Sequence, residues 1–197
     1  MIPQAGRVAG GIVQRRAVWG LVLTACGPSA WGEPQPLVRV DGWTALPGPD
    51  PFGAPPPGVV CDPAGFGPED FAGEPAFDVR TQQCGWLSVA QPANAGLSST
   101  DRLFLRLWHD PLTAGEPGAS AHLGLAVEGE VVWTQDVPIP ADGGIVLADL
   151  ELQRALDAGF ELIFHVDNHG SNSYHLLEIS RRPAVAPADA VDVGLDP

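Results

Sequence analysis

The residues best equipped for chemistry stand in strand-like stretches, Arg102–His109, Ala121–Glu128, Phe160–Asp167 and Ser173–Ser180. Apolar and polar types alternate in each, and a strand sends successive side chains to opposite faces. One set is apolar: Leu103, Leu105 and Leu107, then Leu123, Leu125 and Val127, then Phe160, Leu162, Phe164 and Val166. The other set mixes Phe104, Arg106, Trp108, His122, His165, Asp167 and His175. Aromatic rings stack on flat apolar surfaces, while Arg, His and Asp orient polar groups, so this mixture suits a face that binds a ligand. If Asn168-His169-Gly170-Ser171-Asn172 closes a hairpin, His165 falls opposite His175 and Asp167 opposite Ser173, with Cβ atoms about 4.5–5.5 Å apart. A His pair beside a carboxylate is a ligand set for Zn or Cu, so metal binding or metal-assisted hydrolysis on this His-rich face is the alternative to simple binding. A plainer reading also stands. The same residues would pack beneath a Pro-rich segment, with each His satisfied locally.

The elements that must position these residues are short. Gly85–Ala90, Arg102–His109, Ala121–Glu128, Val131–Val137, Gly144–Asp149, Phe160–Asp167 and Ser173–Ser180 read as strands separated by turn residues. Gly129-Glu130 reads as a hairpin connection and Asp142-Gly143-Gly144 as a turn. Leu37–Val40 reads as a further strand. A helix is expected over Leu150–Ala158, with Asp149 as N-cap and Gly159 just past its end. Residues 46–76 are rich in Pro, including Pro55-Pro56-Pro57, which excludes a helix or a central strand and leaves a loop. The pattern predicts an all-β fold, an antiparallel β-sandwich of jelly-roll type with a Pro-rich N-terminal segment.

Three cysteines stand in the chain, at 26, 61 and 84. Cys26 ends Leu21-Val22-Leu23-Thr24-Ala25-Cys26, after Arg7, Arg15 and Arg16 and a nine-residue apolar run from Ala17. That run suits a secretory signal and is far short of the roughly 20 residues of a spanning helix. The stretch resembles the signal of a bacterial lipoprotein, with Leu23-Thr24-Ala25-Cys26 as the lipobox. The resemblance implies cleavage before Cys26, acylation of its thiol and, with Gly27 next, an outer-membrane destination in the cell envelope. Residues 1–25 are then the signal, 26–36 a tether, 37–180 the domain, and 181–197 an acidic, disordered tail. With Cys26 lipidated, Cys61 and Cys84 remain for an exported chain, and two such cysteines most simply pair. The loop so closed has about 24 residues, which the chain-entropy model values at about 3 kcal/mol. A metal or catalytic thiol is the rival, and neither Cys has a neighbouring His or second Cys at ligand spacing.

The formal charge is −14, and about −17 from Cys26 onward, because three Arg and no acid precede it. Phosphate recognition needs Lys and Arg, and this chain has no Lys, so nucleic acid is not an expected partner. Neither Gly-x-Ser-x-Gly nor His-Glu-x-x-His occurs. The run of Leu103–His109 and Phe160–Tyr174 into an Asn-rich turn is similar to jelly-roll accessory domains of secreted bacterial proteins. The expected protein is a lipid-anchored, non-catalytic binding or structural module. It needs no cofactor, its membrane contact is the N-terminal lipid, and its partner is a carbohydrate or an envelope protein.

Overall fold

The structure is a computed structural model and describes residues 31–168 and 170–184. Cys26, the signal stretch before it, His169 and the segment 185–197 lie outside the described residues.

Two antiparallel sheets face one another. The first has the order β3(Phe66–Phe71), β4(Glu74–Arg80), β11(Ser173–Arg182), β6(Arg102–His109), β9(Gly144–Glu151), and β1(Gln35–Pro36) pairs with the far half of β11. The second runs β2(Thr44–Ala45), β5(Trp86–Pro92), β10(Glu161–Asn168), β7(Ser120–Val127), β8(Glu130–Pro138). From β4 onward the chain changes sheet at every step except the β7–β8 hairpin. That repeated crossing makes the antiparallel sandwich a jelly roll. The seven strands expected from alternation are all present, with ends shifted by a few residues at most.

The apolar set forms the core between the sheets. Leu103, Leu105 and Leu107 of β6, Leu123, Leu125 and Val127 of β7, and Leu162, Phe164 and Val166 of β10 are all buried. Trp43 closes one end of this core, with its ring 5.8 Å from Phe77 and 6.3 Å from Phe164. Cys61 and Cys84 form the expected disulfide.

Four expectations need correction. First, β10 and β11 do not form a hairpin. β10 pairs with β5 and β7, and β11 with β4 and β6. The connection is an arch between sheets. The Thr81 hydroxyl accepts from the Asn172 backbone N–H and the Asn168 amide, and the Asn172 side chain bonds both backbone groups of Thr113. These asparagines pin the arch to other elements and do not close a local turn. Second, the helix at 150–158 is absent. Leu150 and Glu151 continue β9, and Asp149, read as a cap, accepts from Arg102 of the neighbouring strand at 2.6 Å. Third, the Pro-rich loop ends at residue 65. Phe66–Arg80 is a β3–β4 hairpin whose turn is Ala72-Gly73, both at positive φ, and Asp70 Oδ1 accepts from the Gly73 backbone N–H at 2.8 Å. Its first proline, Pro68, lies on the edge strand, where a missing donor costs nothing in the ladder. Fourth, the strand near the start of the domain is Gln35–Pro36 and not 37–40. The segment read as a tether is fastened to the sheet from Trp31, which bridges to Ala184, and β11 extends past residue 180 to Arg182.

Candidate functional site

Because β10 and β11 lie in different sheets, the mixed set of side chains divides between two outer faces. His165, Asp167 and His122 belong to the second sheet. Phe104, Arg106, Trp108 and His175 belong to the first. His165 and His175 therefore cannot share a ligand, and a metal pair formed by them is excluded.

The second-sheet face is covered over its centre. Residues 46–52 lie across it, and Leu46 and Phe52 pack on a small apolar cluster of Ala90, Ala126 and Ile163. The Phe52 ring stacks on His165, with centroids 4.5 Å apart and planes 11° from parallel. It sits where any side chain at residue 124 would project, since a Cβ on Gly124 would fall 2.2 Å from the ring. His165 is 3 % exposed, and its Nδ1 lies 2.8 Å from Ser88 Oγ. The same hydroxyl donates to Asp50 Oδ2 at 2.6 Å, and the Trp86 indole N–H donates to that oxygen at 3.1 Å. Ser, His and Asp in contact invite comparison with a hydrolytic triad, but the connectivity is different. A nucleophilic Ser gives its proton to His, and the acid holds the far ring nitrogen. Here the Ser88 proton goes to Asp50, leaving the Ser oxygen to accept from His165 Nδ1–H. Burial holds the His165 imidazole well below its ordinary value, at about 4, so the ring is neutral and the cluster is a clasp for the strap. His122 stands outside the strap, exposed, with Nδ1 2.5 Å from Asp136 on the adjacent strand. Asp167 is half-buried and in register with His122 and Trp86.

The first-sheet face stays open near its centre. Trp108 and Arg106 of β6 are partly exposed there. The Phe71 ring, from the edge strand β3, lies 6.1 Å from Trp108 at 33° and stacks on His175 at 4.1 Å. The Trp108 indole N–H points to Asp110 Oδ1 at 3.4 Å. Arg106 pairs with Glu74 and, at 3.4 Å, with Glu178. Beside it a cleft of about 240 Å³ opens between the sheet and the 34–43 segment. Phe104 is different: the Arg182 guanidinium lies 3.7 Å above its ring and covers it, so it is 9 % exposed. At the sheet edge, Ile145 and Leu147 of β9 are 51 % and 54 % exposed.

Beneath Phe71 lies a polar cluster. His175 Nδ1 is 2.5 Å from Glu69 Oε1 and 3.5 Å from Asp78 Oδ1, and its Nε2 is 3.7 Å from Asp110 Oδ2. Asp78 is 4 % exposed; its other oxygen meets Arg80 Nε at 3.0 Å. Burial, with Glu69 and Asp110 nearby, pushes the Asp78 carboxyl above the usual range against the pull of His175 and Arg80. Glu69, Phe71, Glu74 and Asp78 all sit on the hairpin that the prolines concealed. A signal was present in Phe71-Ala72-Gly73-Glu74, a two-residue turn between alternating stretches.

No family model and no curated protein matches this chain. Among solved structures, it is similar to the Caldicellulosiruptor saccharolyticus carbohydrate-binding module CBM27-1 in complex with mannohexaose, at 8 % identity and a TM-score of 0.49 over 79 % of this chain and all of that one. It is also similar to a non-crystalline cellulose specific carbohydrate-binding module of family 28, at 10 % identity and a TM-score of 0.48, covering 76 % of this chain and 94 % of the other. At these values the likeness carries no functional argument.

Proposed function

We propose that this chain is a non-catalytic binding module that takes a neutral saccharide on the open face of its first sheet. One observation carries the reading: Trp108 and Phe71 present adjacent rings on that face, while the strap covers the centre of the opposite one. Aromatic rings stack against the apolar faces of sugar rings, and Arg106, Glu74 and Asp110 stand where hydroxyl groups would be oriented. A net charge of −14 disfavours anionic polymers and leaves uncharged ones. The test is binding of soluble neutral polysaccharides, followed by tryptophan fluorescence and affinity electrophoresis. Trp108→Ala should weaken binding by about 30-fold, the loss typical of a central aromatic anchor (about 2 kcal/mol), with the circular-dichroism spectrum unchanged. Absence of binding across neutral glycans by the native chain would refute the proposal.

A second reading, an envelope protein as partner, is favoured by the exposed Ile145 and Leu147 on the edge strand β9. An unpaired sheet edge with apolar side chains accepts an added strand.

The module is further proposed to be held at the outer membrane by lipid on Cys26, because the lipobox reading leaves the other two cysteines to pair. Cys26→Ser should move the protein to the soluble fraction after cell fractionation; retention in the membrane would defeat the anchor.

A further inference from the structure

We propose that Glu69, Asp78 and His175 form a binding site for a divalent cation of the zinc class, seated under Phe71 on the first sheet. The proposal does not rest on saccharide binding. One ligand atom from each residue, His175 Nδ1, Glu69 Oε1 and Asp78 Oδ1, lies within 4.8 Å of the others. Imidazole plus two carboxylates is a donor set suited to Zn²⁺ and Co²⁺.

Three independent observations point to a ligand there. Asp78 Oδ1 is buried without a hydrogen-bond partner. A buried carboxylate oxygen left unpaired is costly, and it is aimed at the point where His175 Nδ1 and Glu69 converge. The charges also fail to balance. Glu69, Asp78 and Asp110 surround the imidazole, and Arg80 is the cation paired to Asp78. Finally, the orientation of the ring fits metal ligation. A His that binds metal through Nδ1 carries its proton on Nε2 and commonly gives it to a carboxylate. Here Nε2 faces Asp110 Oδ2 at 3.7 Å.

Tetrahedral zinc with bonds of about 2.0–2.2 Å keeps its ligand atoms about 3.3 Å apart. Asp78 Oδ1 already lies 3.5 Å from His175 Nδ1. Glu69 Oε1, at 2.5 Å, needs to withdraw by less than about 1 Å, and Glu69 has the room because its side chain is 34 % exposed. That exposure also provides access for the ion, while the stacked Phe71 ring excludes water from the other side.

The test uses the purified chain without a polyhistidine tag, stripped by chelator and titrated with ZnCl₂ by calorimetry, with CoCl₂ absorption as a second readout. One zinc per chain should bind, with cobalt d–d bands that include an imidazole donor. Glu69→Gln, half-exposed and compatible with folding, and His175→Gln should each abolish that event. Asp110→Asn should weaken it by about 10-fold or more, and His122→Gln, on the opposite sheet, should leave it unchanged. The proposal is overturned if no saturable event occurs, or if it survives both Glu69→Gln and His175→Gln. His175 would then serve only to tie Glu69 and Asp78 to β11.

Discussion

His165 shows how far burial decides what a residue can do. Burial is the main cause of its low value, about 4; Asp50 opposes the shift and His122 adds to it. Between that value and the ordinary 6.5, the unfolded chain takes up a proton that the folded chain refuses. Stability from this group is therefore complete above about pH 6.5 and is lost as the pH falls toward 4, by about 3 kcal/mol. Urea unfolding at pH 7 and at pH 4.5 measures this, and His165→Gln should flatten the slope between them. Sequence made His165 and His175 equal candidates because both alternate with core residues. Alternation assigns a side chain to the polar side of its strand and is silent on what covers that side. Phe52 covers one and Glu69 meets the other, and neither contact is local in sequence. Arg106 and Trp108 lie on an outer face that is left partly exposed, and alternation alone did not distinguish that face from the covered one.

At the level of elements, the strap over the second sheet depends on a single missing side chain. Gly124→Ala would put a Cβ into the Phe52 ring, and neither the β7 backbone nor the stacked His165 leaves room for it. Overpacking of this kind costs about 1–3 kcal/mol. The expected outcome is displacement of Phe52, a less stable protein, and a His165 imidazole that titrates closer to its ordinary value. Nuclear magnetic resonance of the His165 ring across a pH series reads that shift directly; an unmoved value would mean that the strap tolerates the methyl group. The longer strands were legible because apolar residues recur at every second position along much of each. Other elements were not. The β3–β4 hairpin hid among prolines that edge pairing tolerates. The expected helix at 150–158 borrowed its cap signal from Asp149, which in fact serves Arg102 across the ladder. The order of strands was beyond reach for a further reason. Four residues between β10 and β11 are few enough for a hairpin, but Asn168 and Asn172 bond to distant partners and the two strands pair in different sheets.

At the level of the molecule, one outer face of the sandwich is crossed by a strap and the other is left open near its centre, and the Cys61–Cys84 disulfide lies between the strap segment and the β3–β4 hairpin. Cys61 lies near the end of the Pro-rich segment, and Cys84 leads into β5. Replacing both cysteines by Ser should lower stability by about 3 kcal/mol, the value for a loop of this length, as read by denaturant unfolding in the absence of reductant. A value near zero would show that strand pairing alone fixes the hairpin.

The residues enclosed by that disulfide are the hairpin itself, including Glu69, Phe71, Glu74 and Asp78. Part of the open face is thus borne on a segment whose two ends are stitched together, while Arg106, Trp108 and His175 stand on β6 and β11 outside it. Closing that segment covalently removes open conformations from the unfolded chain, so the disulfide favours the assembled hairpin over its loosened alternatives.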